Sequence, residues 1–267
     1  MPAPADLFAL DGLTHAGLFA GLTYVWEALA LIEKFTRRAV ELAGPNAAAL
    51  RVEGDLLART VVIHQGRVIR EGFQLLGGDP TKGQLKVRIG EQEVGEASVV
   101  HAGAVFMDDM IHIAPGAVIE PGALIKGPSF IGPRTEVRQG AYLRGGCLIG
   151  AACVVGHTTE VKNSVMLDGA KAGHFAYLGD SILGREVNLG AGTKLANLKI
   201  IDRPFRIKVG EVVHTIARRK SGAIMGDLTE TGCNSVTNPG TVLGPRCLVA
   251  PCTSVPSGFH PPRSVIR

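Results

Sequence analysis

The sequence is poor in aromatic residues, in charge and in long apolar runs. Aromatic side chains make up 5% of the chain and charged ones 19%, whereas glycine occurs 35 times. The core is therefore expected to consist of small and β-branched side chains. An apolar fraction of 46% excludes a disordered chain, and glycine does not recur at every third residue as it does in collagen.

Cysteine and basic residues are too few or too dispersed for several functional classes. Five cysteines, an odd number without a CxxC pair, argue against a disulfide framework and a zinc site, so no metal is expected. A net charge of +4 suits a small anionic ligand but not nucleic acid. The apolar stretch from Ala16 to Trp26 is about half the length of a transmembrane helix, and the N-terminus lacks the basic residues of a signal peptide. We therefore expect a cytoplasmic protein without a membrane or nucleic-acid partner.

Residues 1–45 are interpreted as an N-terminal helical segment. Apolar residues recur at three- and four-residue spacings from Leu13 to Leu42, with charged residues between them. The pair Gly44-Pro45 is expected to end this helix.

Residues 46–97 form a mixed α/β or irregular region. Short apolar runs at Thr60–Ile63 and Leu85–Ile89 predict strands, and the glycine-rich stretch 77–83 predicts a loop. No function follows from this pattern.

From Ile113 onwards the sequence repeats every six residues. An aliphatic residue opens each unit, first at Ile113, Ile119, Ile125, Ile131, Val137, Leu143, Ile149 and Val155. A small residue follows four places later, and Cys147, Cys153 and Cys247 occupy such positions, which predicts buried thiols. Three short strands with tight turns close one triangular coil, and stacked coils bury an aliphatic column. We therefore predict an all-β main domain over residues 98–267, a parallel β-helix with an inserted hairpin at about 201–222.

The segment 161–200 contains polar side chains that the repeat does not require. Because one coil takes about 18 residues, Arg144 and Lys162 are expected to stack one above the other, about 5 Å apart. Two aligned cations repel each other unless an anion lies between them, so a phosphate site is one interpretation. The other interpretation is that Arg144 and Lys162 are two separate surface charges, each surrounded by solvent.

His174 is the candidate general base. A neutral imidazole accepts a proton near pH 7, although a histidine on a turn can also be purely structural. His157 and His214 are competing candidates. No two histidines are spaced by five residues, as they are in the trimeric β-helix carbonic anhydrases.

The hexapeptide pattern resembles that of the left-handed β-helix acyltransferases. The motifs E-V-K-N, K-A-G-H-x-x-Y-L-G-D and V-N-L-G-A-G-T, followed by an asparagine, are similar to the acetyltransferase domain of bifunctional glucosamine-1-phosphate acetyltransferases. Residues 218–245 extend this likeness to the archaeal-type sugar-1-phosphate nucleotidylyltransferase/acetyltransferases. The resemblance covers roughly residues 100–255. It implies a left-handed coil, a homotrimer, and acetyl-CoA bound in grooves between neighbouring chains.

The resemblance also implies a role for each matching residue. His174 takes a proton from the sugar amine; Arg144, Lys162, Tyr177 and Lys220 bind the phosphate; Asn188 and Asn197 hold the amino sugar; and the backbone at Ala191, Gly232 and Cys233 lines the acetyl-CoA groove. All of these groups are expected to meet in one cleft between chains. The implied reaction is direct N-acetylation of an amino-sugar phosphate, a step of nucleotide-sugar biosynthesis that needs no acyl-enzyme.

The sequence departs from the bifunctional enzymes at its N-terminus. The first hundred residues contain no G-x-G-T-R type nucleotide loop and are too short for a nucleotidylyltransferase domain. That activity is therefore not expected, and a separate nucleotidylyltransferase is a candidate partner. Two other interpretations remain open: an acyltransferase for a nucleotide-linked amino sugar or another amine, and a non-catalytic module for sugar-phosphate binding or oligomerisation.

Overall fold

The protein is a left-handed parallel β-helix preceded by an N-terminal segment. The computed structural model describes residues 2–201, 203–209, 211–216 and 218–267, and the helix makes about nine turns in this part of the chain. The remaining positions, Met1 and three residues of the predicted insertion (Asp202, Gly210 and Ala217), lie outside the described residues.

The helices lie before the coil. α-Helices span Pro4–Leu7 and Ile32–Ala43, and 3-10 helices span Ala16–Phe19, Val25–Ala30, Ala47–Ala49 and Pro80–Lys82. The prediction of one helix from near Leu13 was wrong, since the long helix begins only at Ile32. The carboxylate of Glu27 accepts hydrogen bonds from the backbone N–H groups of Thr23 and Tyr24, each at 2.8 Å. These bonds start a separate turn there instead of continuing a helix.

Residues 46–97 form short antiparallel strands at both predicted positions. The strands are Val61–His64, Arg67–Ile69, Phe73–Gly77, Lys86–Ile89 and Gln92–Val94. The last three make a small sheet that buries Leu85 and Val87 against Val62 and Val99. This sheet covers the outer side of the first coils.

The coil has three faces, which we number in the order in which the chain visits them. Face 1 comprises Ser98–Val100, Val118–Ile119, Glu136–Val137, Val154–His157, Lys171–His174, Asn188–Leu189, Glu230–Thr231, Leu248–Val249 and Val265–Ile266. Face 2 comprises Val105–Phe106, Leu124–Lys126, Tyr142–Arg144, Glu160–Lys162, Tyr177–Gly179, Lys194–Leu195, Val236–Thr237 and Ser254–Val255. Face 3 comprises Ile111–Ile113, Ser129–Ile131, Cys147–Ile149, Ser164–Met166, Ile182–Leu183, Ala223–Met225, Thr241–Leu243 and Gly258–His260. Within each face, every strand pairs in parallel with the strand one turn later.

The predicted aliphatic column is the core of the coil. All eight residues that open the first hexapeptides are buried, from Ile113 to Val155. Cys147 and Cys153 are buried as predicted, and burial raises the pKa of each thiol to about 12. Cys247 is buried as well. These thiols therefore pack as small apolar side chains.

The N-terminal segment covers the outer side of face 3. Outward-pointing Phe130, Leu148 and Val165 share one apolar cluster with Leu29 and Ile32 of that segment. The predicted hairpin is formed by Phe205–Val209 and Val212–Ile216, and its buried side chains join the same cluster. Among the described residues, no helix has the length and apolar character that crossing a membrane would require.

Candidate functional site

A cavity of about 350 Å³ lies at the corner where face 2 passes into face 3. Its charged and amide side chains are Glu33, Arg144, Lys162, Asn163, Asp180 and Arg218, and we call it the basic cleft. In the register of face 2, Leu143 lies beside Val161, so the next residues, Arg144 and Lys162, lie one above the other. The register thus agrees with the predicted stacking.

The cations of the basic cleft differ in how they are neutralised. Arg144 Nη1 donates a hydrogen bond to Glu160 Oε1 at 2.6 Å, which raises the pKa of Arg144. Lys162 instead has a second cation as its neighbour. The neighbouring positive charge of Lys162 lowers the pKa of Lys220, since two like charges disfavour each other. Neighbouring positive charges make the cleft attractive to an anion.

Asp180 forms the floor of the basic cleft. It is 4% exposed, and it accepts hydrogen bonds from Asn163 Nδ2 at 2.8 Å and Asn197 Nδ2 at 2.6 Å. Arg218 Nη2 lies 4.0 Å from its Oδ1. The Tyr177 hydroxyl donates to Asn197 Oδ1 at 3.4 Å, and burial raises the pKa of Tyr177. Both polar atoms of the Asn197 amide are therefore engaged within the protein.

Sequence reasoning missed three residues that build this site. Glu160 neutralises Arg144, and Asp180 organises the amides beneath the cleft. At Gly179, a Cβ would lie 2.6 Å from both Asn197 Nδ2 and the Tyr177 hydroxyl, so only glycine leaves room for their contact. All three stand inside the motifs E-V-K-N and Y-L-G-D. The sequence did contain a signal for Glu160, since this acidic residue stands two places before Lys162, the lysine predicted to stack on Arg144.

His174 lies at a different corner, where face 1 passes into face 2. It is exposed and pairs with His157 one turn earlier. The next turns continue this stack: the Gly192 N–H donates to the His174 carbonyl, and the Asn234 N–H donates to the carbonyl of Ala191. Ala191 and Cys233, which precede these two donors and follow Gly190 and Gly232, therefore lie at the same corner. We call this stack the histidine corner. The residues expected to line the acetyl-CoA groove thus belong to the same edge of the coil as the candidate base.

Within one chain, the predicted site residues form two groups and one outlier. Arg144, Lys162, Tyr177, Asn197 and Lys220 lie in or beside the basic cleft, whereas His174 belongs to the histidine corner. A three-residue strand of face 2, about 10 Å long, separates the two corners. Asn188 lies on face 1, in a cavity of about 450 Å³ that Lys82 and Lys171 also line. A single chain therefore does not bring all the predicted side chains together.

The described residues contain no group of three or more His, Cys, Asp and Glu side chains placed to hold a metal ion.

The chain is similar in sequence to several bifunctional proteins. The bifunctional sugar-1-phosphate nucleotidylyltransferase/acetyltransferase of Sulfurisphaera tokodaii is 36% identical over 88 residues, which are 33% of this chain and 22% of that protein. The bifunctional protein GlmU of Methanococcus maripaludis strain C7 is 38% identical over 87 residues, 32% of this chain and 21% of that protein. GlmU of Stutzerimonas stutzeri is 33% identical over 183 residues, 63% of this chain and 40% of that protein. The chain thus spans between about a fifth and two fifths of the length of these relatives.

Two solved structures are among those similar to this chain. The acetyltransferase domain of PglB from Neisseria gonorrhoeae, in complex with acetyl coenzyme A, matches 60% of this chain and 51% of its own at 12% identity, with a TM-score of 0.25. The Arabidopsis UDP-N-acetylglucosamine acyltransferase matches 61% of this chain and 70% of its own at 15% identity, with a TM-score of 0.20. Because both scores are low, the fold assignment depends on the strand pairing of this chain itself.

One family of protein domains, the GMPPB C-terminal domain, matches residues 125–258. The match begins within the coil and includes the basic cleft's Arg144 and Lys162, the histidine corner and the inserted hairpin. Because it extends over half of the sequence, the chain belongs to the GMPPB C-terminal domain family.

Proposed function

We propose that this protein is an acetyl-CoA-dependent N-acetyltransferase that acts on an amino-sugar phosphate similar to glucosamine-1-phosphate. The observation that carries the proposal is the stacking of Arg144 and Lys162 in the basic cleft, where Lys220 adds a neighbouring positive charge. A phosphate is the anion that such a cluster of donors fits best. The name of the Sulfurisphaera tokodaii relative, which combines sugar-1-phosphate and acetyltransferase activities, supports the same substrate class.

In this proposal the chain's own residues bind the phosphate and move one proton. Arg144, Lys162 and Lys220 hold the phosphate, and His174 accepts a proton from the sugar ammonium so that the free amine can react. The amine nitrogen attacks the thioester carbonyl and the C–S bond breaks. The departing thiolate takes up the proton held by His174, and the second proton, which the acylated nitrogen loses, goes to solvent. Acetyl-CoA would supply the activated acetyl group, and backbone N–H groups near Ala191 would stabilise the oxyanion.

The proposed active site forms between neighbouring copies of the chain. Phosphate and amine stand on adjacent ring carbons of the substrate, but face 2 separates His174 from the basic cleft of its own chain by about 10 Å. The histidine corner lies at one edge of face 2, and the basic cleft lies at the other edge. A neighbouring copy packed against face 2 would bring its basic cleft towards this chain's histidine corner, and a closed ring of three copies would repeat the arrangement.

Release of free thiol from acetyl-CoA in the presence of glucosamine-1-phosphate tests the proposal. His174→Ala is expected to lower the rate by about 100-fold or more, as the loss of a general base does. His157→Ala is the matched control, because His157 is the neighbouring, half-buried imidazole one turn away. It should retain its rate within a few-fold. Equal losses in both variants, or no thiol release by the wild type, would exclude this role of His174.

A non-catalytic binding module is the second candidate, favoured by the separation of His174 from the basic cleft within one chain. Such a module would bind the sugar phosphate but release no thiol, and His174→Ala would leave binding unchanged. Calorimetric binding measured beside the thiol assay distinguishes it from the enzyme.

A further inference from the structure

Two exposed thiols lie at the histidine corner. Cys147, Cys153 and Cys247 occupy small-residue positions of the repeat and are buried, whereas Cys233 and Cys252 are exposed. The hexapeptide pattern explains the three buried thiols, because the corner positions inside the coil require a small side chain. It places no such requirement on the two exposed positions, so a thiol at each of them needs a separate explanation.

Consecutive turns of the coil bring Cys233 and Cys252 side by side. Thr231 pairs with Val249, a shift of 18 residues, and the next strand keeps the same shift. Cys252 therefore lies directly over Asn234, one residue beyond Cys233, and its N–H donates to the Cys233 carbonyl at 2.8 Å. Turns about 4.8 Å apart and a step of about 3.8 Å along the chain put the two Cα atoms at most about 6 Å apart. This separation is within the range of about 4.4–6.8 Å that a disulfide spans.

The same arrangement brings two side chains into contact elsewhere at this corner. Phe175 lies one turn after His157 and one residue further along, and Cys252 has the same relation to Cys233. The Phe175 N–H donates to the His157 carbonyl at 2.8 Å, and the two rings meet edge-on with centroids 5.9 Å apart. The backbone conformation agrees as well, because φ is positive at both Phe175 and Cys252. Side chains in this relation project from the same edge of the coil, where two thiols can reach each other.

The exposed thiols are accessible to reagents that the buried thiols do not meet. Each buried thiol donates to a backbone carbonyl, as Cys147 does to Val161 at 3.3 Å. Thiol–disulfide exchange requires that the attacking sulfur can be reached from solvent. In the folded protein Cys233 and Cys252 meet this requirement.

We propose that Cys233 and Cys252 form a dithiol site that reacts with low-molecular-weight disulfides and closes to a disulfide between the two cysteines. One protein thiolate attacks a sulfur of the small disulfide, so that a mixed disulfide forms and one small thiolate departs. The second protein thiolate attacks the protein sulfur of this mixed disulfide, the new S–S bond forms, and the second small thiolate departs. The two protons of the protein thiols go to the departing thiolates. The protein dithiol is thus oxidised, and the small disulfide is reduced to two thiols.

This inference goes beyond the proposed function and does not depend on it. The exchange needs neither a sugar nor acetyl-CoA, and the sulfur atoms of Cys233 and Cys252 take no part in the proposed acetyl transfer. Exposed disulfides are more easily reduced than buried structural ones. The site is therefore expected to respond reversibly to the balance of thiols and disulfides around the protein.

Incubation of the folded, fully reduced wild type with oxidised glutathione tests the inference. The intact mass should fall by two hydrogen atoms without attached glutathione, and dithiothreitol should restore the original mass. Peptide mapping should join Cys233 to Cys252, and two glutathione molecules should be released for each chain. Cys233→Ser and Cys252→Ser are the matched variants. Each keeps one exposed thiol without its partner and should retain one glutathione as a stable mixed disulfide.

Several results would overturn the dithiol site. A wild type that keeps attached glutathione would show that the two sulfur atoms do not meet, and a wild type that does not react would show that they cannot be reached. A disulfide between two chains, or one that includes a buried cysteine, would contradict the pairing. Both variants alter exposed positions, so the fold should be unchanged, which circular dichroism can verify. Acetyl transfer is measured separately on the reduced protein, so the failure of either proposal leaves the other standing.

Discussion

Acid should weaken the docking of the N-terminal segment through one buried histidine. The His15 ring stands edge-on to Phe130 with centroids 4.7 Å apart, and its Nε2 has no hydrogen-bond partner among the described residues. Burial lowers the pKa of His15 from 6.5 to about 4, against a smaller opposing influence of Asp168. The docked segment therefore holds a neutral imidazole over a pH range in which a free histidine is protonated.

The direction and size of the effect follow from the two pKa values. Between pH 6.5 and about pH 4, the undocked segment binds a proton that the docked segment does not. Because the undocked state binds more protons, the stability of the docked state falls as the pH falls through this interval. The loss reaches about 3 kcal/mol at its limit and about 2 kcal/mol at pH 4.5. Below about pH 4 this contribution no longer grows.

Urea unfolding followed by Trp26 fluorescence measures this loss, because Trp26 is the single tryptophan and lies in the docked segment. The wild type should lose about 2 kcal/mol more stability between pH 7 and 4.5 than His15→Phe, which keeps a ring beside Phe130 but has no proton to gain. Carboxylates such as Asp168, which accepts a hydrogen bond from Thr14 Oγ1, are present in both proteins and cancel in the comparison. Parallel pH dependences in the two proteins would refute the role assigned to His15.

Three shorter predictions concern thiols, packing and assembly. In the native protein a thiol reagent should modify exposed Cys233 and Cys252, while the three buried thiols should react only after unfolding; five reactive thiols in the native state would contradict their burial. Gly179→Ala should lower the free energy of unfolding by about 1–3 kcal/mol, measured by thermal denaturation, because the added Cβ displaces Asn197. An unchanged melting temperature would show that Asn197 and Tyr177 can move aside without a loss of stability. Sedimentation equilibrium should give about three times the chain mass of 28.0 kDa, and a monomer at assay concentration would leave the proposed active site incomplete.

The coil could be predicted because every turn requires the same types of residue at the same positions. An inward position accepts an aliphatic side chain and a corner accepts a small one, so the pattern was visible in each hexapeptide. The burial of Ile125, Leu143 and Val161 in consecutive turns follows that rule.

The N-terminal segment could not be predicted in the same way, because its 3-10 turns depend on the surface that they cover. A signal for that surface was nevertheless present. The outward positions of face 3 are apolar at Leu148, Val165 and Ile182, whereas face 2 carries Glu160 and Lys194 at equivalent outward positions. An apolar outer face requires a cover, and the N-terminal residues and the insertion provide it.

The period of the coil, which places Arg144 and Lys162 one above the other, also places Lys162 and His174 at different corners. Residues about 18 apart occupy the same corner one turn later, but His174 follows Lys162 by only 12 positions. With about six residues for each face, 12 positions carry the chain along two faces, past one corner and to the next. The motifs that suggest one active site therefore already place the proposed base and the proposed phosphate-binding cations on different edges of the coil. Under the proposed function, catalysis on a single small substrate requires a second copy to join those edges, so a test of the chain's assembly is also a test of the proposed activity.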